Sequence, residues 1–328
     1  MQESLLLSDP KILVVRASYC AAIKRLAPQL VNAGCHLLDR ISTPNWTLEW
    51  HLPRWLGDAF GLPPARIQAL VLSNVYGLTY VRLQDDLVDD EVSQATRMTT
   101  ILLATALYHL WMLQYVQLFA GESPFWSYLE RFMAQWLRAT QSSNNPPVTG
   151  FQSYSEEDFL RLGERGAPLK ICCAGACLLA GREEVIPPLT SAVDHLLVSA
   201  VLIDHAKDWA DDLTAGRYNV FVDYASPHPQ APHRREANRR QVLEEICLGD
   251  AARPYFDVLQ KHVQIAAEKA RAVACPGLIQ HLQSFESGVV TIRDRLADEA
   301  KAWLRMATEQ LFGSSLLSDP PVIPEERR

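Results

Sequence analysis

Hydrophobic positions recur with the helical period along almost the whole chain, and no stretch shows the strict alternation of a half-buried strand. The first periodic segment runs from Lys11 to about Ile41, where Pro28 predicts a kink or a boundary. Three more segments follow, at Asn45 to Phe60, Ala65 to Asp90 and Ala95 to Phe119. The chain shows neither an internal repeat nor a linker. We therefore predict one all-α domain over residues 1–312 and a disordered tail over residues 313–328.

Composition limits the classes of partner. With 328 residues and 48% hydrophobic content, the chain is long enough to bury a large core. Its net charge of −7 argues against nucleic acid as a partner, and an anionic substrate is expected only where metal ions mediate its binding. No unbroken apolar run reaches the roughly 18 residues that span a bilayer, and the N-terminus lacks the features of a signal peptide. We expect a cytoplasmic protein that does not cross a membrane.

The seven cysteines are an odd number. Cys172, Cys173 and Cys177 lie in one helix of small residues without a nearby histidine, which argues against a zinc site. We expect buried structural thiols in a reducing cytoplasm.

An apolar helical stretch ends abruptly in the carboxylates Asp85, Asp86, Asp89 and Asp90. On a helix Asp85 and Asp89 lie one turn apart, so their like charges repel. The C-terminal end of a helix is also the unfavourable end for anions, so a cationic partner is expected there. A lone acidic run is most often a solvated helix end. A second acidic cluster makes a binding site the better interpretation.

That second cluster follows another apolar helix. Asp204, Asp208 and Asp212 are spaced by four residues and form one carboxylate stripe on a helix. Two such acidic ends, if they face each other, would build an oxygen-lined site suited to Mg²⁺. The predicted metal ligands are Asp85, Asp86, Asp89, Asp204, Asp208 and Asp212. His205 lies among the second set but is interpreted as a neighbour and not as a ligand.

Three motifs carry a family resemblance. Asp85-Asp-Leu-Val-Asp89 resembles the DDxxD motif of the class I isoprenoid synthases, which include trans-prenyl diphosphate synthases and class I terpene synthases. The stretch from Asp204 to Asp212, followed by Gly216-Arg-Tyr-Asn219, resembles the second metal motif of that superfamily. Arg165-Gly-Ala-Pro-Leu169 is similar to the helix break at which the synthases place a lysine on the substrate diphosphate.

The resemblance implies the superfamily's helical bundle, three Mg²⁺ ions and an allylic prenyl diphosphate as substrate, and it allows a homodimer. It further implies that metal ions assist the ionisation of the diphosphate. The catalytic residues so implied are Asp85, Asp89, Asp208 and Arg165. The residues expected at the substrate are Arg165, Lys170, Lys207, Arg217 and Tyr218. Of these, Lys170 competes with Arg165 for the position of the synthases' lysine.

The carbocation formed by ionisation could be stabilised by aromatic faces. The candidates are Tyr76, Tyr80 and Trp209. Each of them, taken singly, is better explained as ordinary core.

Two departures from the elongating synthases set the predicted subclass. These enzymes usually carry a basic patch near the N-terminus for a second diphosphate, whereas here Lys24, Arg25, Arg40 and Arg54 are scattered. They also carry an arginine pair after the first motif, where this chain has only Arg97, although Arg82 or Arg97 could replace that pair. We therefore predict a terpene synthase that makes a hydrocarbon or alcohol, with a chain-elongating prenyltransferase as the alternative. A non-catalytic partner subunit is a further interpretation, against which both intact acidic motifs argue.

Overall fold

The computed structural model describes residues 9–42, 47–142, 154–225, 242, 244–245 and 252–312. Every regular element in these ranges is a helix, so the predicted all-α class is confirmed. The α-helices are α1 (Pro10–Leu26), α2 (Val31–Ile41), α3 (Thr47–Ala59), α4 (Pro64–Val88), α5 (Gln94–Leu118), α6 (Phe125–Ser142), α7 (Glu156–Gly163), α8 (Leu169–Leu179), α9 (Ile186–Ala215), α10 (Val220–Ala225), α11 (Ala252–Val273) and α12 (Pro276–Phe312). The tail predicted at 313–328 lies outside the described residues.

Local sequence explains where several helices begin and end. Asp9 caps α1 by accepting a hydrogen bond from the backbone N–H of Lys11 at 2.8 Å. The boundary predicted at Pro28 is confirmed, because α1 ends there and a 3-10 turn begins. Ser155 and Asp158 form a reciprocal capping box at the start of α7, as their spacing suggests. The loop expected from Gly216 to about Pro232 contains the short helix α10, and its residues 226–232 lie outside the described residues.

The described residues group into two compact units. The first unit takes its residues from 9–142, 154–201 and 261–286, and the second from 202–260 and 287–312. Helices α9, α11 and α12 contribute residues to both units. The single domain predicted over residues 1–312 stays a prediction.

Large aromatic side chains fill the core of the first unit and fix α4 against its neighbours. The fully buried aromatic residues of this unit include Tyr19, Trp50, Tyr76, Trp111, Tyr115 and Phe125. The rings of Tyr19 and Tyr76 stack with centroids 5.3 Å apart. Gly77 lets α5 approach α4 closely, because a Cβ atom at that position would lie 2.4 Å from the Trp111 ring. This packing holds the helix that ends in the first acidic stretch.

Two helices of the described chain are long and apolar enough to cross a membrane by length and composition alone. They are Gln94–Leu118 and Glu183–Ala215. An apolar stretch of 18 residues in each is buried within the fold to 39% and 56%, respectively. The expectation from the sequence rested on unbroken apolar runs. It missed both helices because polar residues interrupt their apolar stretches. This is weak support for membrane crossing, because a core helix passes the same test.

The cysteines correct one expectation. Cys20 and Cys35 form a disulfide, because the turn between α1 and α2 brings their Cα atoms to 5.6 Å. The expectation of thiols alone is therefore wrong for this pair. Cys172, Cys173 and Cys177 are buried and free, as expected, and Cys275 joins them.

Glu49 on α3 is an unusual residue of the first unit. Pro53 lies inside the helix and has no N–H for the carbonyl of Glu49 four residues earlier. The side chain of Asn74 on α4 donates to that carbonyl instead, at 2.6 Å. The carboxyl atom Oε2 of Glu49 is enclosed and has no hydrogen-bond partner in the described structure. Burial raises the pKa of this carboxyl from 4.5 to about 7.

This raised pKa predicts how stability depends on pH. The folded state keeps the Glu49 proton between about pH 4.5 and 7, whereas the unfolded state releases it, so stability falls as pH rises through this window. Glu49→Gln removes the buried charge. We expect it to raise the free energy of unfolding by about 3 kcal/mol at pH 8 and by little at pH 4. Urea unfolding at both pH values measures this difference, with the exposed Glu268→Gln as the matched control. An equal effect of Glu49→Gln at both pH values would contradict it.

Candidate metal and diphosphate site

The first acidic stretch lies where α4 ends. The backbone N–H of Asp89 donates to the carbonyl of Asp85, and that of Glu91 donates to the carbonyl of Asp86, both at 2.9 Å. Between them Asp90 adopts a positive φ of 56°, a conformation that aspartate tolerates better than most residues. This helix end fixes Asp85 and Asp89 in the last turn, where the carbonyl dipoles disfavour negative charge.

The cation expected at this helix end is Arg165. Its Nη2 lies 2.8 Å from Oδ2 of Asp89 and 3.3 Å from Oδ1 of Asp85. One guanidinium nitrogen therefore joins two carboxylates from successive turns of α4. The prediction that a cation offsets the charge of the acidic stretch is confirmed. That cation is Arg165, the residue for which the resemblance implies contact with the substrate diphosphate.

Two glycines place Arg165 there. Arg165 lies in the 3-10 turn Glu164–Gly166 that follows α7. A Cβ atom on Gly166 would lie 2.4 Å from the Leu197 side chain, and one on Gly163 would lie 3.0 Å from the backbone nitrogen of Val198. Only glycine allows this turn to approach α9 so closely. The helix break between α7 and α8 is therefore explained by packing against α9.

Aromatic rings surround Asp85 on its other side. The indole Nε1 of Trp136 donates to Oδ1 of Asp85 at 3.4 Å. The Tyr80 ring contacts those of Trp136, Tyr108 and Trp111, with centroids 6.3, 5.3 and 6.0 Å away. Burial raises the pKa of Asp85, while Arg165 and the Trp136 hydrogen bond lower it in opposition. Sequence reasoning found Tyr80 but missed Trp136 and Tyr108, because aromatic residues at helical spacing look the same as core.

The other carboxylates of this stretch have cations of their own. Asp86 is 8% exposed and lies 2.8 Å from Nε of Arg82. Asp90 lies 3.0 Å from Nη1 of Arg97. Asp86, a predicted metal ligand, is therefore already paired, and both arginines that could have served a second diphosphate are occupied by carboxylates.

Lys170, the competing candidate for diphosphate contact, is placed elsewhere. Its side chain is 1% exposed, and Nζ lies 2.5 Å from Asp194 and 2.8 Å from the side-chain oxygen of Gln135. The ammonium group also lies 4.9 Å from the centroid of the Phe132 ring. Lys170 is thus enclosed and paired with Asp194, and its contact with the diphosphate stays a prediction.

The second acidic stretch belongs to the second unit. Asp204 and Asp208 are both exposed and lie one turn apart near the end of α9. Nζ of Lys207 lies 3.7 Å from Asp204. The surrounding protein raises the pKa of Asp204, Lys207 opposes this, and the charge of Asp208 adds to it. These two carboxylates are available for a cation.

Asp212 has a different environment from the other two members of its stripe. It is buried and accepts hydrogen bonds from Nε of Arg217 and from Nδ2 of Asn219, both at 2.8 Å. Asn219 in turn accepts from the backbone N–H groups of Phe221 and Val222 and so caps α10. Asp212 therefore anchors the turn that carries Arg217.

His205 matches its interpretation as a neighbour. Its Nδ1 accepts a hydrogen bond from the backbone N–H of Val220 at 3.2 Å. Burial lowers its pKa to about 4, with Asp212 opposing the shift. The imidazole ring is therefore neutral at pH 7. Its hydrogen bond with Val220 holds the turn that follows α9.

The remaining candidates are mostly core. Tyr76 and Trp209 are 2% and 4% exposed. Tyr218 is half-buried beside Arg217 in the chain. A cleft of about 420 Å³ opens elsewhere in the first unit, lined by Trp55, His281 and Phe285 among others and by no carboxylate.

Within the described ranges, no group of three or more His, Cys, Asp and Glu side chains is arranged to hold a metal ion. In this state arginines are paired with Asp85, Asp86, Asp89 and Asp212. The donor set nevertheless fits Mg²⁺, because it consists of carboxylate oxygens and because Asp85 and Asp89 already converge on one cationic nitrogen. The metal ligands stay a prediction, as does the facing of the two stretches.

Several solved structures share this fold. A decaprenyl diphosphate synthase from Rhodobacter capsulatus is 14% identical with a TM-score of 0.68, over 87% of this chain and 96% of that one. A geranylgeranyl pyrophosphate synthase from Lactobacillus brevis is 13% identical with a TM-score of 0.66, over 85% and 95%. A geranylgeranyl pyrophosphate synthetase from the archaeon Geoglobus acetivorans is 15% identical with a TM-score of 0.64, over 87% and 95%.

No protein-family model matches the chain, and no curated protein matches it. At identities this low the likeness is one of fold. The chain has the helical fold of the class I isoprenoid synthases, as its motifs predict.

Proposed function

We propose that the protein is a Mg²⁺-dependent enzyme that ionises an allylic prenyl diphosphate. The observation that carries this proposal is the convergence of Asp85 and Asp89 on one cationic nitrogen, at 3.3 and 2.8 Å, at the end of a well-packed helix. The fold of the prenyl diphosphate synthases supports it independently.

In this proposal Arg165 exchanges partners. Mg²⁺ bound to the carboxylates would neutralise charge on the leaving diphosphate. Arg165, displaced from Asp85 and Asp89, then turns its fork of N–H donors to the diphosphate oxygens. The arginine thus prevents charge repulsion in the free enzyme and contacts the substrate in the complex.

The second unit supplies a similar set. Asp204 and Asp208 are the proposed ligands there, and Lys207, 3.7 Å from Asp204, is a proposed contact for the diphosphate. Asp212 pairs with Arg217 and keeps it near the end of α9. The proposed role of Asp212 is to position this arginine, which precedes Tyr218 in the chain. Three Mg²⁺ ions remain the number that the resemblance implies.

Aromatic side chains beside Asp85 suit the cation that ionisation produces. Tyr80 and Trp136 lie next to the carboxylate end of α4, and Tyr108 and Trp111 extend the group away from it. Their faces can stabilise positive charge where water is excluded. We propose that the prenyl chain lies along these rings.

The fate of the cation has two candidates. The three solved structures named above are prenyl diphosphate synthases, which favours the prenyltransferase, the alternative that the sequence analysis placed second. One observation favours the terpene synthase instead. Arg82 and Arg97, the arginines nearest the first motif, are paired with Asp86 and Asp90, and a terpene synthase would leave them so paired.

We further propose a cytoplasmic enzyme with a prenyl diphosphate as its substrate and no nucleic-acid partner. The exposed apolar side chains of α5, among them Met98, Leu113 and Val116, suit contact with a second copy of the chain. Sedimentation analysis tests this homodimer, and a monomer at all concentrations would exclude it.

Removal of the metal or of its ligands should abolish turnover. We expect EDTA to stop diphosphate release and Mg²⁺ to restore it. Asp85→Asn and Asp208→Asn should each lower turnover roughly 100-fold or more. Their effect on unfolding should be small, because both carboxylates are partly or fully exposed. The exposed Asp58→Asn on α3 is the matched control. Unchanged turnover in either variant would remove that residue from the site.

Product analysis separates the two fates. Allylic diphosphates of C10 to C25 are incubated with Mg²⁺, with and without isopentenyl diphosphate. A prenyltransferase makes a longer prenyl diphosphate only when isopentenyl diphosphate is present. A terpene synthase makes a hydrocarbon or alcohol without it. Absence of diphosphate release under both conditions would contradict the proposed function as a whole.

A further inference from the structure

Glu49 is held in one position by a specific arrangement. Pro53 leaves the Glu49 carbonyl without its helical donor, and the buried Asn74 supplies the missing hydrogen bond from α4. This contact ties the first turn of α3 to the middle of α4. The backbone of Glu49 is therefore fixed relative to the helix that ends in the acidic stretch.

Among the described carboxyl groups of the first unit, Glu49 is the one with an enclosed oxygen that has no hydrogen-bond partner, and the Tyr19 hydroxyl and Nε of Arg54 lack a partner as well. Asp86 pairs with Arg82, and Asp194 pairs with Lys170. The buried His195 and His262 bond to each other through Nδ1 at 2.8 Å. Oε2 of Glu49 has neither a donor nor a cation among the described residues. A carboxyl oxygen that is enclosed without a donor lowers stability, and a function would explain its presence.

The position of Glu49 along α4 suits a long apolar substrate. Its anchor Asn74 lies about three turns, or roughly 16 Å of helix, before Asp85. Tyr80 lies between them on the same helix, and Trp111 packs against Gly77 in that interval. A prenyl chain whose diphosphate is bound at Asp85 and Asp89 would extend in this direction beside the rings.

We infer that Glu49 is the catalytic base that takes the proton at the end of the carbocation reaction. The inference rests on the proposed function but holds for both fates, since each reaction ends with a carbocation that must lose a proton. The C–H bond next to the cationic carbon breaks, and its electron pair forms the new C=C bond. The proton passes to Oε2 of Glu49, which later returns it to water.

The electrostatic environment supports this role. Burial raises the pKa of the Glu49 carboxyl to about 7, so part of it is ionised at neutral pH. A base with a pKa near the working pH both accepts and releases a proton readily. A neighbouring carbocation favours the ionised form further.

The experiment compares Glu49→Gln, Glu49→Asp and the exposed control Glu268→Gln with the unmodified enzyme. Geranyl, farnesyl and geranylgeranyl diphosphate serve as substrates with Mg²⁺, with and without isopentenyl diphosphate. Diphosphate release measures ionisation, and product analysis measures how the cation ends. For Glu49→Gln we expect diphosphate release to fall about threefold. The products of proton loss should fall at least tenfold relative to it, and alcohols from capture of water should take their place.

The remaining variants and the pH profile separate a base from a packing role. Glu49→Asp keeps a carboxylate and should recover part of the proton-loss product. The share of that product should rise with pH through about 7 in the unmodified enzyme and stay constant in Glu49→Gln. Products and pH profile unchanged in Glu49→Gln would overturn the base while leaving the proposed function in place. Absence of diphosphate release from the unmodified enzyme would overturn the proposed function and the base with it.

Discussion

The site depends on one shared cation. Asp85 and Asp89 lie in the last turn of α4, where each repels the other and the helix dipole disfavours both. Nη2 of Arg165 relieves this repulsion, since it lies 2.8 Å from Asp89 and 3.3 Å from Asp85. Two glycines let the turn that carries Arg165 approach α9. A site that binds metal ions must form when they arrive and remain stable without them. An internal arginine that exchanges with the metal meets both needs.

A second constraint acts three turns earlier on the same helix. Pro53 interrupts the hydrogen bonds of α3, and Asn74 compensates by fixing α3 to α4. Oε2 of Glu49 is enclosed without a hydrogen-bond partner. The buried carboxyl lowers the free energy of unfolding increasingly as pH rises. The proposed metal-binding carboxylates lie at one end of α4, and Glu49 of α3 is held against the middle of that helix through Asn74. Aromatic rings separate them, as ionisation and proton loss would require.

Much of the fold and part of the site could be predicted from the sequence. Helical periodicity gives the all-α class, and the spacing of the aspartates gives the acidic turns, because both are local properties of the chain. The choice of Arg165 over Lys170 required the structure, since burial beside Asp194 cannot be read from neighbouring residues. Trp136 lies far from Asp85 in sequence and meets it only in the folded chain.

The exchange of Arg165 for metal is tested most directly by Mg²⁺ binding without substrate. Isothermal titration would compare the unmodified protein with Arg165→Gln and with the exposed control Arg161→Gln. Removal of a competing cation should tighten Mg²⁺ binding by Arg165→Gln about tenfold, or ~1.4 kcal/mol. The control should bind as the unmodified protein does. Equal or weaker Mg²⁺ affinity in Arg165→Gln would contradict the account.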